Sequence, residues 1–216
     1  MERQCLKEDI LALPKRYRTQ FINSLTGFKS ANLVGTISKT GTTNLAIFSQ
    51  IFHLGANPPL IGMIVRPAVV PRHTLINIRE TGFYTLNHIL PEWFDKAHQT
   101  SAKFKEGISE FTEVGLHESF GEIHPAPYVN ESNIKIGLKL KQEIPIEIND
   151  TILLIGEIIE VIFPNGIQKE DGFLDLEKAS SITVSGLDSY HQTIKLGRLA
   201  YAVPEEIPHP LPENLQ

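Results

Sequence analysis

Between Gly35 and Asn87 the chain is cut into short strand-length runs by turn residues, and that spacing limits the folds open to it. Leu33 to Ser38 and Asn44 to Phe52 are strand-like and are separated by the hairpin-length turn Lys39-Thr40-Gly41-Thr42. Along the second run, Leu45, Ile47, Ser49 and Ile51 point one way, and Asn44, Ala46, Phe48, Gln50 and Phe52 the other. Both faces carry apolar residues, so both are expected to be covered, one of them by a ligand or a second subunit. Pro58-Pro59 blocks helix and opens a third strand, Leu60 to Val65. After the Arg66 to Pro71 loop with its two prolines, Thr74 to Thr81 reads as a short helix. Thr74 is its expected cap and Gly82 its stop. Phe83 to His88 returns as a strand.

The flanking sequence completes the pattern. Pro14 to Leu25 reads as a helix with Tyr17, Phe21 and Leu25 on one face. Glu92 to Gln99 is helix-like, with Trp93 and Ala97 on one face, and Thr100 to Phe120 is a polar, irregular excursion. Ile134, Ile136, Leu138 and Leu140 alternate with Lys135, Gly137, Lys139 and Lys141, the pattern of a half-exposed strand. Thr151 to Phe163 is β-branched and apolar and is expected to be a central strand that bends at Gly156. Pro164-Asn165-Gly166 is a turn, Ser181 to Val184 a short strand, and Pro204 to Gln216, with four prolines, an extended tail. Many strands with two or three short helices predict an antiparallel barrel with peripheral helices. Strands and helices do not alternate regularly, and no G-x-G-x-x-G follows a strand, which argues against a dinucleotide-binding doubly wound sheet.

The 216 residues carry a formal charge of −5, which disfavours a general nucleic-acid binder while leaving room for a local anion site. Cys5 is the single cysteine, so no intramolecular disulfide forms, which fits a cytoplasmic setting. The start lacks an apolar h-region, and no apolar run reaches membrane-span length: Ile152 to Phe163 is interrupted by Gly156, Glu157 and Glu160. The eight histidines show no metal-ligand spacing, and no G-x-S-x-G anchors a hydrolase triad. The residues alone identify no catalytic side chain. Glu157 and Glu160 read as outward or paired.

Arg66 and Arg72 bracket the loop before the 74–81 helix, whose hydroxyl at Thr74 and leading N–H groups add donors suited to a phosphate. The same arginines also read as solvated loop residues. Asn44, Ser49 and Gln50, with strand backbone, suit the polar edge of an aromatic ring, and equally read as ordinary turn and strand residues.

Gly35-Thr36, Gly41-x-x-Asn44-Leu45-Ala46-x-x-Ser49, Pro58-Pro59, Arg72-His73-Thr74-x-x-Asn77-Ile78 and Thr81-Gly82-Phe83-x-x-Asn87 together resemble the flavin reductase-like family with the FMN-binding split barrel. The likeness continues through Ser109-Glu110-Phe111, Gly115-Leu116, the 156–161 run and Gly197-Arg198-Leu199-x-Tyr201, so it spans Tyr17 to Tyr201. The resemblance implies a mainly β, antiparallel split β-barrel of Greek-key type with a few short peripheral helices. All 216 residues would form a single FMN-binding domain with an N-terminal helix and a proline-rich C-terminal tail. It implies a homodimer, and an oxidoreductase that reduces bound or free flavin with NADH or NADPH or passes electrons to another small acceptor. The alternatives are a non-enzymatic FMN-binding electron carrier and an interaction barrel without cofactor. Transferred by position, Thr36, Ser38, Asn44, Leu45, Ala46, Ser49 and Gln50 are implied ring and ribityl contacts. Arg66, Arg72 and Thr74 are implied phosphate contacts. Some reductases of the family carry Gly-Asp-His before the long late strand, linked to nicotinamide binding. Here Asn149-Asp150-Thr151 stands in that place.

Overall fold

The computed structural model describes residues 2–67, 72–105 and 107–216. Two helices come first, α1 (Lys7–Ala12) and α2 (Lys15–Leu25), then the strands β1 (Lys29–Ser30), β2 (Asn32–Ile37), β3 (Thr43–Phe48), β4 (Ile51–Ala56) and β5 (Pro59–Val65). Helix α3 (His73–Thr81) leads to β6 (Phe83–His88), and a 3-10 turn (Pro91–Trp93) to α4 (Phe94–Gln99). Next are α5 (Glu110–Val114), β7 (Glu118–Ser119), β8 (Tyr128–Val129), β9 (Lys135–Ile146) and β10 (Thr151–Ile162). The chain closes with β11 (Thr183–Ser185), β12 (Ser189–His191) and a 3-10 turn at Glu213–Leu215.

Seven antiparallel strands form the main sheet in the order β3-β2-β6-β9-β10-β5-β4. Its two edge strands, β3 and β4, are neighbours in sequence, joined only by Ser49 and Gln50. A link of that length spans roughly 11 Å between its flanking Cα atoms even when fully extended. The sheet therefore has to roll up until its edges meet, and the seam between β3 and β4 carries no strand pairing: the barrel is closed in shape and split along that seam. This corrects the expected single strand from Asn44 to Phe52. The apolar pattern runs on through Ser49-Gln50, but there the chain leaves one sheet edge for the other, and the Gln50 carbonyl accepts the Ile64 N–H at 2.9 Å.

Alternation along β2 sends Val34 into the barrel and Leu33 out of it. The interior cluster joins Val34 to Met63, Tyr84, Leu86, Leu138 and Leu154, and Leu75 and Ile78 of α3 pack into it. The outer cluster joins Leu33 and Leu45 to Trp93 and Ala97 from the α4 region and to Phe111 of α5. Fully burying a side chain of this size contributes about 1.5–3 kcal/mol, so both faces of β3 are anchored within the chain itself. On the outer side Leu45 is buried, and Ile47 partly so, under α4 and α5.

The longest pair, β9 and β10, shows register shifts at Ile155/Gly156 and Ile158/Glu160, the bend expected at Gly156. A Cβ at Gly156 would overlap the Tyr84 hydroxyl, so the backbone passes that ring only without a side chain. Gly82 ends α3 in the left-handed conformation at φ 77°. Glu157 pairs with Lys141 at 2.8 Å, and Glu160 accepts the Tyr128 hydroxyl at 2.6 Å, so both carboxylates are partnered. Helices number five rather than two or three, all short, among the described residues. The final segment is not simply extended: Ala200 and Leu211 donate across it to His209 and Arg198, making a narrow loop. Among the described residues no helix is long and apolar enough to cross a membrane.

Candidate functional site

Thr36 and Asn44 face each other across β2 and β3, and α3 lies over them. Thr74 and Asn77, three residues apart on α3, point at the same pair. Asn77 Nδ2 donates to Thr36 Oγ1 at 3.1 Å, and Asn44 Nδ2 donates to Thr74 Oγ1 at 3.0 Å. All four residues are buried. Each such bond contributes about 0.5–1.5 kcal/mol net, and removing one partner strands a buried group at a cost of about 1–3 kcal/mol. Thr74 is thus not the helix cap: Arg72 holds the N-cap position, no described side chain caps α3, and the Thr74 hydroxyl turns inward to Asn44.

Beyond this corner, the outer edge of β3 is held by the excursion that follows α4. The Leu45 N–H donates to Glu110 Oε2 at 2.9 Å, and the Thr43 hydroxyl meets Ser109 Oγ at 2.7 Å and Glu118. Glu110 is only 7% exposed. Burial raises its carboxyl above the usual range, against the opposing effect of the Leu45 N–H and the charge of nearby His73. Leu45 has therefore committed its side chain to the outer core and its N–H to Glu110. Ser38 is a turn residue: its Oγ accepts the Thr42 N–H at 3.0 Å and meets Thr40 Oγ1.

The remaining expected residues are less committed. Ala46 and Ser49 are half-buried, and Gln50 is exposed, at the end of β3 and on the link across the barrel seam. Arg66 is exposed just past β5, while Arg72 is half-buried with its Nε fully buried and unpartnered among the described residues. The middle of the Arg66–Pro71 loop lies outside the described residues. Lys29 adds a third cation that the sequence did not single out. Its ammonium donates to the carbonyls of Asn23 and Gly186, and its pKa is lowered, first by burial and then by the charge of Arg66. An uncapped helix start, an orphaned guanidinium nitrogen and neighbouring cations together make a donor set suited to a terminal phosphate. The ten expected residues thus divide into a locked corner (Thr36, Asn44, Leu45, Thr74, with Ser38 in its turn) and an open rim (Ala46, Ser49, Gln50, Arg66, Arg72).

Glu110, Asn77 and His73 complete the corner, and sequence reasoning gave them no role. Glu110 lies 65 residues from its partner Leu45, so no local pattern announces the contact. The Asn149-Asp150-Thr151 segment is taken up by the β9–β10 turn. Asn149 Oδ1 accepts both the N–H and the hydroxyl of Thr151, and Asp150 sits at φ 57°. Two open surface hollows of about 440 and 330 Å³ lie against α2 and the 185–189 turn, and none of the ten residues lines them. Among the described residues no group of three or more His, Cys, Asp or Glu side chains is arranged to hold a metal.

A rolled antiparallel sheet with an open seam and a plugging helix defines a split-barrel protein. The flavin reductase like domain model matches residues 28–179, and the chain belongs to that family. A solved structure from Shewanella frigidimarina NCIMB 400, described as a flavin reductase with split barrel domain, is 47% identical. It has a TM-score of 0.90 and covers 93% of this chain and 100% of its own. Flavoredoxin of Desulfovibrio vulgaris (Miyazaki F) is 25% identical, with a TM-score of 0.70, over 82% of this chain and 92% of its own. An uncharacterised protein of Halalkalibacterium halodurans is 29% identical over 174 residues, 76% of this chain and 83% of that protein. Family membership supports a flavin-utilising oxidoreductase function.

Proposed function

We propose that the chain is an FMN-dependent oxidoreductase whose cofactor is held along the open rim. Arg66, Arg72 and the N–H groups that open α3 would take the phosphate, and Ala46, Ser49 and Gln50 would line the ring and ribityl side. The observation that carries this reading is the buried Nε of Arg72, without a partner among the described residues, at the start of α3, which no described side chain caps. A guanidinium there is suited to a fixed anion, and FMN ends in one whereas riboflavin does not. When bound, FMN supplies the redox chemistry. The chain's own contribution is to orient and shield it. Glu110 and the corner hydrogen bonds fix the β3 edge.

NADH or NADPH is the proposed donor, with slow transfer compared with a dedicated free-flavin reductase. Asn149 and Thr151 are bonded to each other in a hairpin turn, which leaves that segment poorly suited to docking a nicotinamide. Positioning accounts for several powers of ten in such rates. The same observation favours a second reading, an FMN-binding electron carrier reduced by a protein. Cys5, unpaired, suits a cytoplasmic setting for either.

The visible spectrum of the purified protein, followed by stopped-flow reduction with NADH and NADPH, tests the proposal. Flavin bands and slow, saturable bleaching by either nucleotide are expected. Absence of flavin bands, together with no response on adding FMN, overturns the reading. Flavin bands with no bleaching by either nucleotide move it to the carrier.

A further inference from the structure

Two carboxylates are buried among the described residues, Asp175 and Glu110, and they are compensated differently. Asp175 faces two ammonium groups, Lys195 at 3.2 Å and Lys169 at 3.7 Å. Glu110 has no ion-pair partner among the described residues. Its carboxyl is met by backbone alone, the Leu45 N–H at 2.9 Å and the N–H of its own residue. Backbone bonds satisfy the oxygens but leave the charge of a buried carboxylate without a counter-ion. Such a group is poised to take a proton when its surroundings become more negative.

Glu110 stands one residue along β3 from the phosphate end of the corner. Asn44, next to Leu45, bonds Thr74, and Thr74 follows Arg72 and His73 at the start of α3. Few charged groups face this carboxyl. From α3 comes His73, whose charge favours ionised Glu110, with Arg72 beside it. From β7 comes Glu118, bonded to Thr43. Lys96 of α4 is turned to the Gly115 carbonyl at 2.9 Å, and Glu113 of α5 is exposed. A phosphate at the start of α3 brings negative charge to this neighbourhood and competes with Glu110 for the positive charge of His73 and Arg72.

We infer that Glu110 is a positioning residue linked to the flavin phosphate by a proton: when FMN binds, the Glu110 carboxyl takes up a proton from solvent while keeping its hold on the Leu45 N–H. The inference rests on the FMN reading above, with the phosphate at Arg72. A protonated carboxyl keeps an oxygen able to accept an N–H, so β3 stays anchored in both states. By reciprocity, a proton on Glu110 favours the phosphate as much as the phosphate favours the proton. The complex holds this proton more tightly than the free chain. The resulting gain in FMN affinity is therefore full at low pH and is lost as pH rises through the value in the complex. Riboflavin lacks the phosphate and draws no such proton.

Calorimetric titration of the full chain with FMN and with riboflavin, in pairs of buffers that differ in ionisation enthalpy, counts the protons exchanged. The phosphate of FMN itself titrates at about pH 6 and sheds protons when bound as the dianion. The count is therefore read as the difference between wild type and Glu110→Gln, which still accepts the Leu45 N–H. At about pH 6 the wild type is expected to take up more than the variant, by roughly half a proton per FMN. The difference is expected to vanish by about pH 8 and to be absent with riboflavin at either pH. Should the variant lose its fold, infrared difference spectra of the wild type are expected to gain a protonated-carboxyl band with FMN and not with riboflavin. Equal proton counts in the two folded chains, a difference that riboflavin also shows, or, on the infrared route, no gained band each overturns the inference while a preference for FMN over riboflavin still stands. Equal affinity for the two flavins, or no binding of FMN, overturns the inference together with the reading beneath it.

Discussion

The locked corner and the open rim of the candidate site are built from the same short stretch of chain, yet they behave as opposites. At the corner, Thr36, Asn44, Thr74 and Asn77 are buried and bonded in pairs, so their polarity is spent on holding α3 against β2 and β3. At the rim, Gln50 and Arg66 are exposed, and Arg72 buries a nitrogen that meets no described partner. A resemblance by position cannot separate the two groups. The difference teaches that a motif residue contributes to a site in two ways: by meeting the ligand, or by fixing the backbone that does.

Exchanging the properties of the two groups gives the largest expected effects. Arg72→Ala should weaken FMN by about 10- to 100-fold, the range for losing a charge-assisted bond of about 1.5–3 kcal/mol. Riboflavin binding should hardly change, and calorimetry with both ligands measures the ratio. Equal losses would show that Arg72 does not read the phosphate. Asn77→Ala should do the reverse. It leaves the Thr36 hydroxyl without its donor, so the free energy of unfolding should fall by about 1–3 kcal/mol while the FMN-to-riboflavin ratio stays put. Urea unfolding beside the same titrations checks it, and an altered ratio at full stability would dissolve the distinction.

Two smaller effects sharpen the contrast. Tyr84 is the exception inside the barrel, a buried hydroxyl with no partner among the described residues, and burial pushes its pKa up. Tyr84→Phe should therefore raise stability by about 1 kcal/mol, whereas a loss would reveal a partner for that hydroxyl. Glu110 supplies a dependence on pH. Its carboxyl is raised by burial, so the folded chain binds its proton more tightly than the unfolded chain does. That contribution favours the fold below the ordinary carboxyl range and is lost as pH rises through the folded value. Glu110→Gln should flatten this part of the stability–pH profile while still accepting the Leu45 N–H. An unaltered profile would place the titration elsewhere.

Much of this architecture was legible because it is local. The 83–88 strand, the bend at Gly156 and the stop at Gly82 follow from short-range pattern and backbone freedom. The break at Ser49-Gln50 was not legible, because apolar alternation runs through it and only the meeting of two sheet edges makes it a crossing. Nor was the inward turn of Thr74. A threonine near a helix start reads as a cap, and only Asn44, thirty residues earlier, redirects its hydroxyl. The sequence pointed to the rim arginines through their charge. Glu110 stood in a family-like motif, but its bond to Leu45 was not legible, nor was the bond of Lys29 to Gly186, because those partners are distant in sequence.

The central claim is that the rim recognises a terminal phosphate, and parallel calorimetric titration of the wild-type chain with FMN and with riboflavin tests it most directly. FMN is expected to bind tighter by about tenfold or more, equivalent to about 1.4 kcal/mol, with the preference shrinking as salt is raised. Equal affinity for the two ligands at low salt would contradict it.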